Sequence, residues 1–221
     1  MCGRYNLFSD LTKLYERFEL AELADVDFAA RYNIAPSQEV IAVVRGSKGN
    51  KGGFLKWGLV PSWASDPKIG YKMINARAET LGEKASFKRL LSRRRCLIPA
   101  DGFYEWKQIE KLKQPFHIRL KSGEPFAFAG LWDRWEQEGQ TIHSCTIITT
   151  EANVLMKEIH DRMPVILTRE AEKEWLNSEN TDGQSIKQLL VPYNPEKMEA
   201  YPVSPLVNSP KNEGKEILNS L

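Results

Sequence analysis

CLIPADGFYEW (96–106), FHIRL (116–120), FAFAGLW (126–132) and SCTIITT (144–150) are short runs rich in aromatic and β-branched residues. Such runs suit the pleated, half-buried surface of a strand, and connectors such as Lys121-Ser122-Gly123-Glu124 have the composition of hairpin turns. Strands that follow one another through short turns predict an antiparallel, curved sheet able to close into a barrel. Upstream, residues 39–44 add a β-branched strand, 46–53 a loop of glycine and lysine, and 54–60 the returning strand, which Pro61 ends. Helices are expected outside this sheet. One follows a Ser9 cap, with Leu11, Leu14, Tyr15 and Phe18 on one face; another lies within 76–95, with Ser86 as its cap. A short helix at 152–159 turns Val154, Leu155 and Ile159 inward, and amphipathic helices follow at 168–176 and 185–190. Residues 163–167 read as one more strand and 201–221 as an irregular polar tail. The expected architecture is α+β: a single domain over 1–221 with a curved, mainly antiparallel, barrel-like core and surrounding helices.

A chain of 221 residues suffices for one well-packed core and is short for two. No repeat or low-complexity linker marks a boundary, and a formal charge of +2 does not by itself predict nucleic-acid binding. No apolar run approaches the roughly 18 residues of a spanning helix, and the first residues lack a secretory pattern. A cytoplasmic protein without a membrane partner is therefore expected, and a monomer. Cys2, Cys96 and Cys145 form neither a CxxC pair nor an even disulfide framework, and His117, His143 and His160 are scattered, so neither metal nor cofactor is expected. Arg93-Arg94-Arg95 falls where a helix would end, and favourable interaction with the helix dipole is preferred to phosphate binding as its reading. The stretch PSWASDPKIGYKMINA (61–76) has no regular period but carries aromatic residues, which predicts a functional loop rather than a disordered one.

Chemistry-bearing residues concentrate in four places: 1–4, 75–80, 99–106 and 159–164. Loss of Met1 would give Cys2 an α-amine beside its thiol. Such a 1,2-aminothiol condenses with an aldehyde to an imine and then closes to a thiazolidine, at pKa values near neutrality. The bland reading of Cys2 is a small buried hydrophobe. Glu105, among Phe103, Tyr104 and Trp106, is either a buried carboxylate with a raised pKa, suited to acid catalysis, or a solvent-facing strand residue. His160 caps a helix or takes part in chemistry; Asn75 closes a turn or orients a reacting group. Arg4, Arg77 and Arg162 each lie within two residues of such a candidate, a pattern that suits phosphates. Trp57, Trp63, Phe103 and Trp106 are candidate stacking surfaces for unpaired bases.

MCGR at the start, RYNIAPSQ, WGLVPSW, INARAET, CLIPADGFYEWK, FAFAGLW, TIITTEAN and IHDRMPVIL, in that order over nearly the whole chain, resemble the SOS response-associated peptidase (SRAP) family of abasic-site processing proteins. The resemblance implies the SRAP fold and an enzyme with autopeptidase and abasic-site cross-linking or lyase activity. Its partner would be single-stranded DNA containing abasic sites, which would make it nucleoid-associated when bound. It implies that Cys2, after autocatalytic or aminopeptidase removal of Met1, forms a thiazolidine with the ring-opened sugar. Asn75 would position the amine, Glu105 would move protons, and His160 would assist ring opening and reversal. Arg4, Asn33, Pro36, Trp63, Arg77, Trp106, Thr149 and Arg162 would contact the DNA. Two other classes fit the same residues: a thiol peptidase acting on proteins, pairing Cys2 or Cys96 with His160, and a non-covalent single-strand binding module.

Overall fold

A computed structural model of the chain describes residues 2–23 and 28–221. Its strands are β1 (Tyr5–Leu7), β2 (Leu20–Leu23), β3 (Arg31–Ile34), β4 (Glu39–Gly46), β5 (Gly49–Trp57), β6 (Asn75–Arg77), β7 (Arg95–Ala100), β8 (Gly102–Ile109), β9 (Leu112–Leu120), β10 (Phe126–Gln137), β11 (Gln140–Glu151), β12 (Arg162–Pro164), β13 (Ile166–Leu167) and β14 (Met198–Pro202). The helices are α1 (Leu11–Arg17), α2 (Ala85–Arg93), α3 (Val154–Lys157), α4 (Arg169–Leu176) and α5 (Gly183–Lys187), joined by short 3-10 turns.

Strands β5, β4, β7, β10 and β11 pair in that order, and β11 pairs back onto β5, which closes a five-stranded barrel. Four of the pairs are antiparallel; the closing pair, Ser144 with Lys56 and Cys145 with Trp57, is parallel. A second sheet, in the order β14-β9-β8-β1-β3, lies against the barrel. The two share an aromatic cluster in which Tyr5 meets Trp57 and Phe128 edge-on, with ring centres 5.4 and 5.7 Å apart, and Phe103 meets Phe128 at 6.0 Å. Every residue of β7 is buried, as are the first six of β10, because one face fills the barrel and the other is covered from outside. Trp175 of α4 supplies part of that cover and donates its indole N–H to Cys96 O at 2.9 Å.

The α+β barrel with outer helices is the architecture read from the sequence, but several elements differ in detail. Residues 96–106 are two strands in different sheets, because the chain turns at Asp101. Its carboxylate accepts N–H groups from Phe8 and Ser9 (2.6 and 2.7 Å) and the Ser9 hydroxyl. Ser9 is thereby taken up, and α1 is capped by Asp10, which accepts from Lys13 N; Tyr15 is exposed rather than packed. Lys121 to Glu124 is a turn but not a hairpin, since β9 and β10 belong to different sheets. The 46–53 stretch is ladder except at Ser47 and Lys48: Gly46 pairs with Gly49, whose φ of 136° suits only glycine. Helix α2 is preceded by Lys84 without a side-chain cap, and Ser86 lies inside it. Arg95 is buried in β7 and donates to the carbonyls of Leu91, Trp175, Asn177 and Asn180, a structural use of the arginine run. Residues 163–167 split around Val165 into β12, on β11, and β13, on β10, while Val154 of α3 faces solvent and Met156 is buried instead.

Gly130 pairs with Cys96 and Ile147 within the barrel wall, and a Cβ there would lie 2.9 Å from both Cys96 Sγ and Ile98 Cδ1 and 3.1 Å from Thr146 O. Gly130→Ala is expected to destabilise the fold by about 1–3 kcal/mol, seen as a lower urea midpoint at unchanged slope.

Candidate functional site

Beyond the closing seam, the C-terminal half of β11 exchanges both neighbours. β5 leaves at Trp57 and β6 takes over the same edge, pairing Asn75 with Ile147 and Arg77 with Thr149. On the opposite edge β10 gives way to β12, which pairs Pro164 with Thr149 and Arg162 with Glu151. Thr149 therefore has Arg77 on one side and β12 on the other. The N-terminal segment runs alongside: Tyr104 N donates to Arg4 O, Tyr5 pairs with Phe103, and Asn75 Nδ2 donates to Cys2 O at 2.8 Å.

Cys2 is fully buried, and burial, with the charge of Glu105 adding to it, raises the thiol well above its ordinary value. Glu105, two residues along β8 from Phe103, is buried too; desolvation raises its carboxyl, and nearby positive charge, including that of His160, opposes the rise. Glu105 and His160 line one cleft of about 430 Å³ together with Trp106, Lys113 and Asn208. His160 Nδ1 accepts from Arg162 N at 2.9 Å, so a neutral imidazole carries its proton on Nε2. Asn75 Oδ1, Arg4 Nε and Arg162 Nε are buried without a hydrogen-bond partner among the described residues. A larger cavity, about 780 Å³ between α1 and α4, contains none of the candidate residues.

The DNA-contact candidates fall into two groups. Arg77 and Trp63 are exposed, Trp63 at 61%. The others are engaged within the chain. Arg4 donates to Asn33 Oδ1 (2.8 Å) and Val207 O (2.7 Å) and lies over the Trp106 ring. Asn33 is buried and its amide is fully occupied, with Nδ2 donating to the carbonyls of Val207, Ser209 and Asn212. Arg162 forks onto Glu79 at 2.7 and 3.0 Å and reaches Thr149 O at 2.8 Å. Thr149 is buried, its hydroxyl 3.5 Å from Ala76 O. Pro36 is half-buried in the turn that delivers Ser37 N to Trp57 O. Trp106 donates to Asn208 Oδ1 at 2.7 Å. Trp57 and Phe103 are core residues and present no stacking surface, and Cys96 is sealed in the barrel, where no substrate reaches it.

The sequence reading missed Glu79, Lys113, Val207 and Asn208. Glu79 lies within INARAET, two residues after Arg77, and its charge was the available signal. The tail had none, because its contribution is made by backbone carbonyls and one amide.

A family model described as SOS response associated peptidase (SRAP) matches residues 1–210. The chain belongs to that family. Among its SRAP relatives, abasic site processing protein YoqW of Bacillus subtilis is 54% identical over 223 residues, covering 100% of both chains, and YoaM of the same organism is 51% identical, covering 100% of this chain and 98% of YoaM. A crystal structure of a protein from Bacteroides thetaiotaomicron superposes with a TM-score of 0.89 at 29% identity, covering 100% of each chain. The fold of this SRAP chain is thus shared along its full length, including the tail that completes the cleft.

Burial raises the Glu105 carboxyl above its ordinary 4.5, so between that pH and the folded value the folded protein holds a proton that the unfolded chain has released. The destabilisation is absent at lower pH, grows as pH rises through the folded value and is complete above it. Glu105→Gln is expected to match wild type in urea midpoint near about pH 4 and to exceed it near about pH 8.

Proposed function

We propose that this SRAP chain processes abasic sites in single-stranded DNA by covalent capture at Cys2. The observation that carries the reading is the Asn75 amide holding the Cys2 carbonyl at 2.8 Å while its own buried Oδ1 stays without a partner among the described residues. A buried unsatisfied acceptor costs about 1–3 kcal/mol and is retained where a ligand or reacting group supplies the donor. The α-amine of Cys2 supplies that donor once Met1 is gone; Met1 itself lies outside the described residues. The names of YoqW and YoaM as abasic site processing proteins support the substrate class.

The chemistry proceeds in two balanced steps. The unprotonated α-amine adds to the C1′ aldehyde of the ring-opened sugar, and the carbinolamine loses water to give an imine. The thiol then adds across C=N, its sulfur bonding to carbon and its proton passing to nitrogen, which closes the thiazolidine. Glu105, whose carboxyl burial raises above its ordinary value, donates to the leaving hydroxyl and takes part in Met1 removal. His160, with Nε2–H available in its neutral form, assists opening of the sugar ring and the reverse reaction. A raised thiol pKa suits this order, with the amine attacking first. It disfavours a peptidase acting on other proteins, which needs a ready thiolate. Arg77, exposed beside Thr149, contacts phosphates directly; Arg4 and Arg162 frame the sugar pocket with Trp106.

Intact-mass spectrometry after incubation with abasic single-stranded DNA is expected to show a chain lacking Met1 plus the oligonucleotide minus one water. An alanine inserted between Met1 and Cys2 is expected to abolish the adduct, because an internal cysteine has no adjacent amine; a denaturation-resistant adduct from that variant would refute the mechanism. Arg77→Ala is expected to weaken binding to all sequences alike and to lower the slope of log affinity against log salt by about 1, measured by anisotropy titrations at several salt concentrations.

A further inference from the structure

Helix α2 runs into three successive arginines, Arg93, Arg94 and Arg95, and only the last is taken up wholly by the fold. The buried Arg95 guanidinium directs its hydrogen bonds to neutral carbonyls, those of Leu91 in the last turn of α2 and of Trp175, Asn177 and Asn180 at and beyond the end of α4. Its charge is answered by the partial negative charge of two helix C-termini. Arg94 lies with its guanidinium 4.3 Å from the centre of the Trp132 ring. Arg93 is exposed and, among the described residues, makes no ion pair; Arg45 of β4, also exposed, donates to Asn50 Oδ1 at 3.3 Å and makes none either.

These side chains surround a cavity of about 230 Å³ outside the barrel, where the ends of α2, α4 and β4 meet. Arg45, Arg93 and Arg95 line it together with Ser92, Ser178 and Trp132, and among the described residues its lining contains no carboxylate. The carboxylates of this region, Glu174 and Glu179 among them, line the larger cavity next to it. Three guanidinium groups around one hollow repel each other, and partial exclusion of water strengthens the repulsion. An oxyanion removes it, because its oxygens accept from guanidinium forks and from serine hydroxyls at once. The volume lies below the roughly 300 Å³ at which pockets for drug-sized ligands begin, so it suits a small charged group. None of these residues lines the cleft beside Glu105 and His160.

We propose that this cavity is a second, separate phosphate-binding site, in which Arg45 and Arg93 grip the phosphate oxygens, Ser92 and Ser178 donate their hydroxyls, and Arg95 supplies a fixed positive charge behind them. The phosphate comes either from a free phosphate monoester or from the backbone of a nucleic acid; the chemistry on the protein side is the same. The site does not depend on the Cys2 chemistry.

The test is a two-dimensional amide NMR titration of the full chain at constant ionic strength, held with sodium chloride. Amides of Ser92, Arg93 and Ser178 report on this cavity, and those of Arg77 and Thr149 report on the Cys2 site. Inorganic phosphate is expected to shift the first group along a saturable curve. Arg93→Gln is expected to weaken that binding roughly tenfold, and Arg45→Gln with Arg93→Gln to abolish it, while any shifts at Arg77 and Thr149 persist. Both arginines are exposed, and matched thermal unfolding will confirm that the variants fold. Two further titrants distinguish the sources. Saturable shifts with thymidine 5′-monophosphate but not with an oligothymidylate hydroxylated at both ends assign a free monoester, and shifts with that oligonucleotide that phosphate competes away assign a nucleic-acid backbone. Absence of saturable shifts in the first group with all three titrants would overturn the proposal, and so would shifts there that survive unchanged in the double variant.

Discussion

A ring of five strands cannot alternate direction all the way round, so one neighbouring pair must be parallel. In this chain that pair is β5 with β11, and the rest of the molecule is arranged by it. After Trp57 the chain leaves the edge of β11 and, after a long excursion, returns to it as β6, in the same parallel sense and only two residues further along. That excursion is the aromatic loop, and its return places Asn75 and Arg77 at the seam. Gly58, at φ 133° and donating to Cys145 O, is the point of departure. The candidate site thus lies where the chain leaves the parallel edge of β11 and re-enters it.

Burial is the second organising constraint, and it acts in opposite senses on the site's acids and its cations. Carboxyl and thiol are pushed toward their neutral forms at Glu105 and Cys2. The same burial lowers the Arg4 pKa from its usual value, which makes its contacts with Asn33 and the Val207 carbonyl necessary for a charge half out of water. Arg162 differs. Its guanidinium forks onto half-exposed Glu79 at 2.7 and 3.0 Å and also donates to Thr149 O at 2.8 Å, so it is held by a carboxylate and a carbonyl together. Arg4 is fixed by the tail, while Arg162 is fixed by β11 and the turn that follows β6.

What was legible in the sequence follows from these constraints. Strands β4, β10 and β11 declare themselves because their central residues are β-branched, aromatic or small and are buried on both faces, and the four chemistry-bearing stretches are readable because each keeps its candidate residues within a few positions. The split of 96–106 was not legible: apolar character continues across Asp101, and only the long-range acceptance of Phe8 and Ser9 N–H groups shows that the chain changes sheets there. The same contacts removed Ser9 from the helix cap. Alternation alone left Glu105 open between solvent and interior, because the cover over β8 comes from segments far away in sequence.

The tail shows why local reading stops short at this site. Val203, Val207 and Ile217 bury themselves against Tyr104, and Asn33, nearly 180 residues earlier, satisfies its amide on three of the tail's carbonyls. Backbone carbonyls are present at every position, so composition carries no trace of which ones will serve. The Arg4 guanidinium needs Val207 O, and Trp106 needs Asn208, before the cleft beside Glu105 and His160 has its final wall. The surroundings of the N-terminal segment are therefore assembled from both ends of the chain. Loop closure over that separation is entropically unfavourable and must be offset by the buried tail cluster, so the cleft forms only when the whole chain has folded.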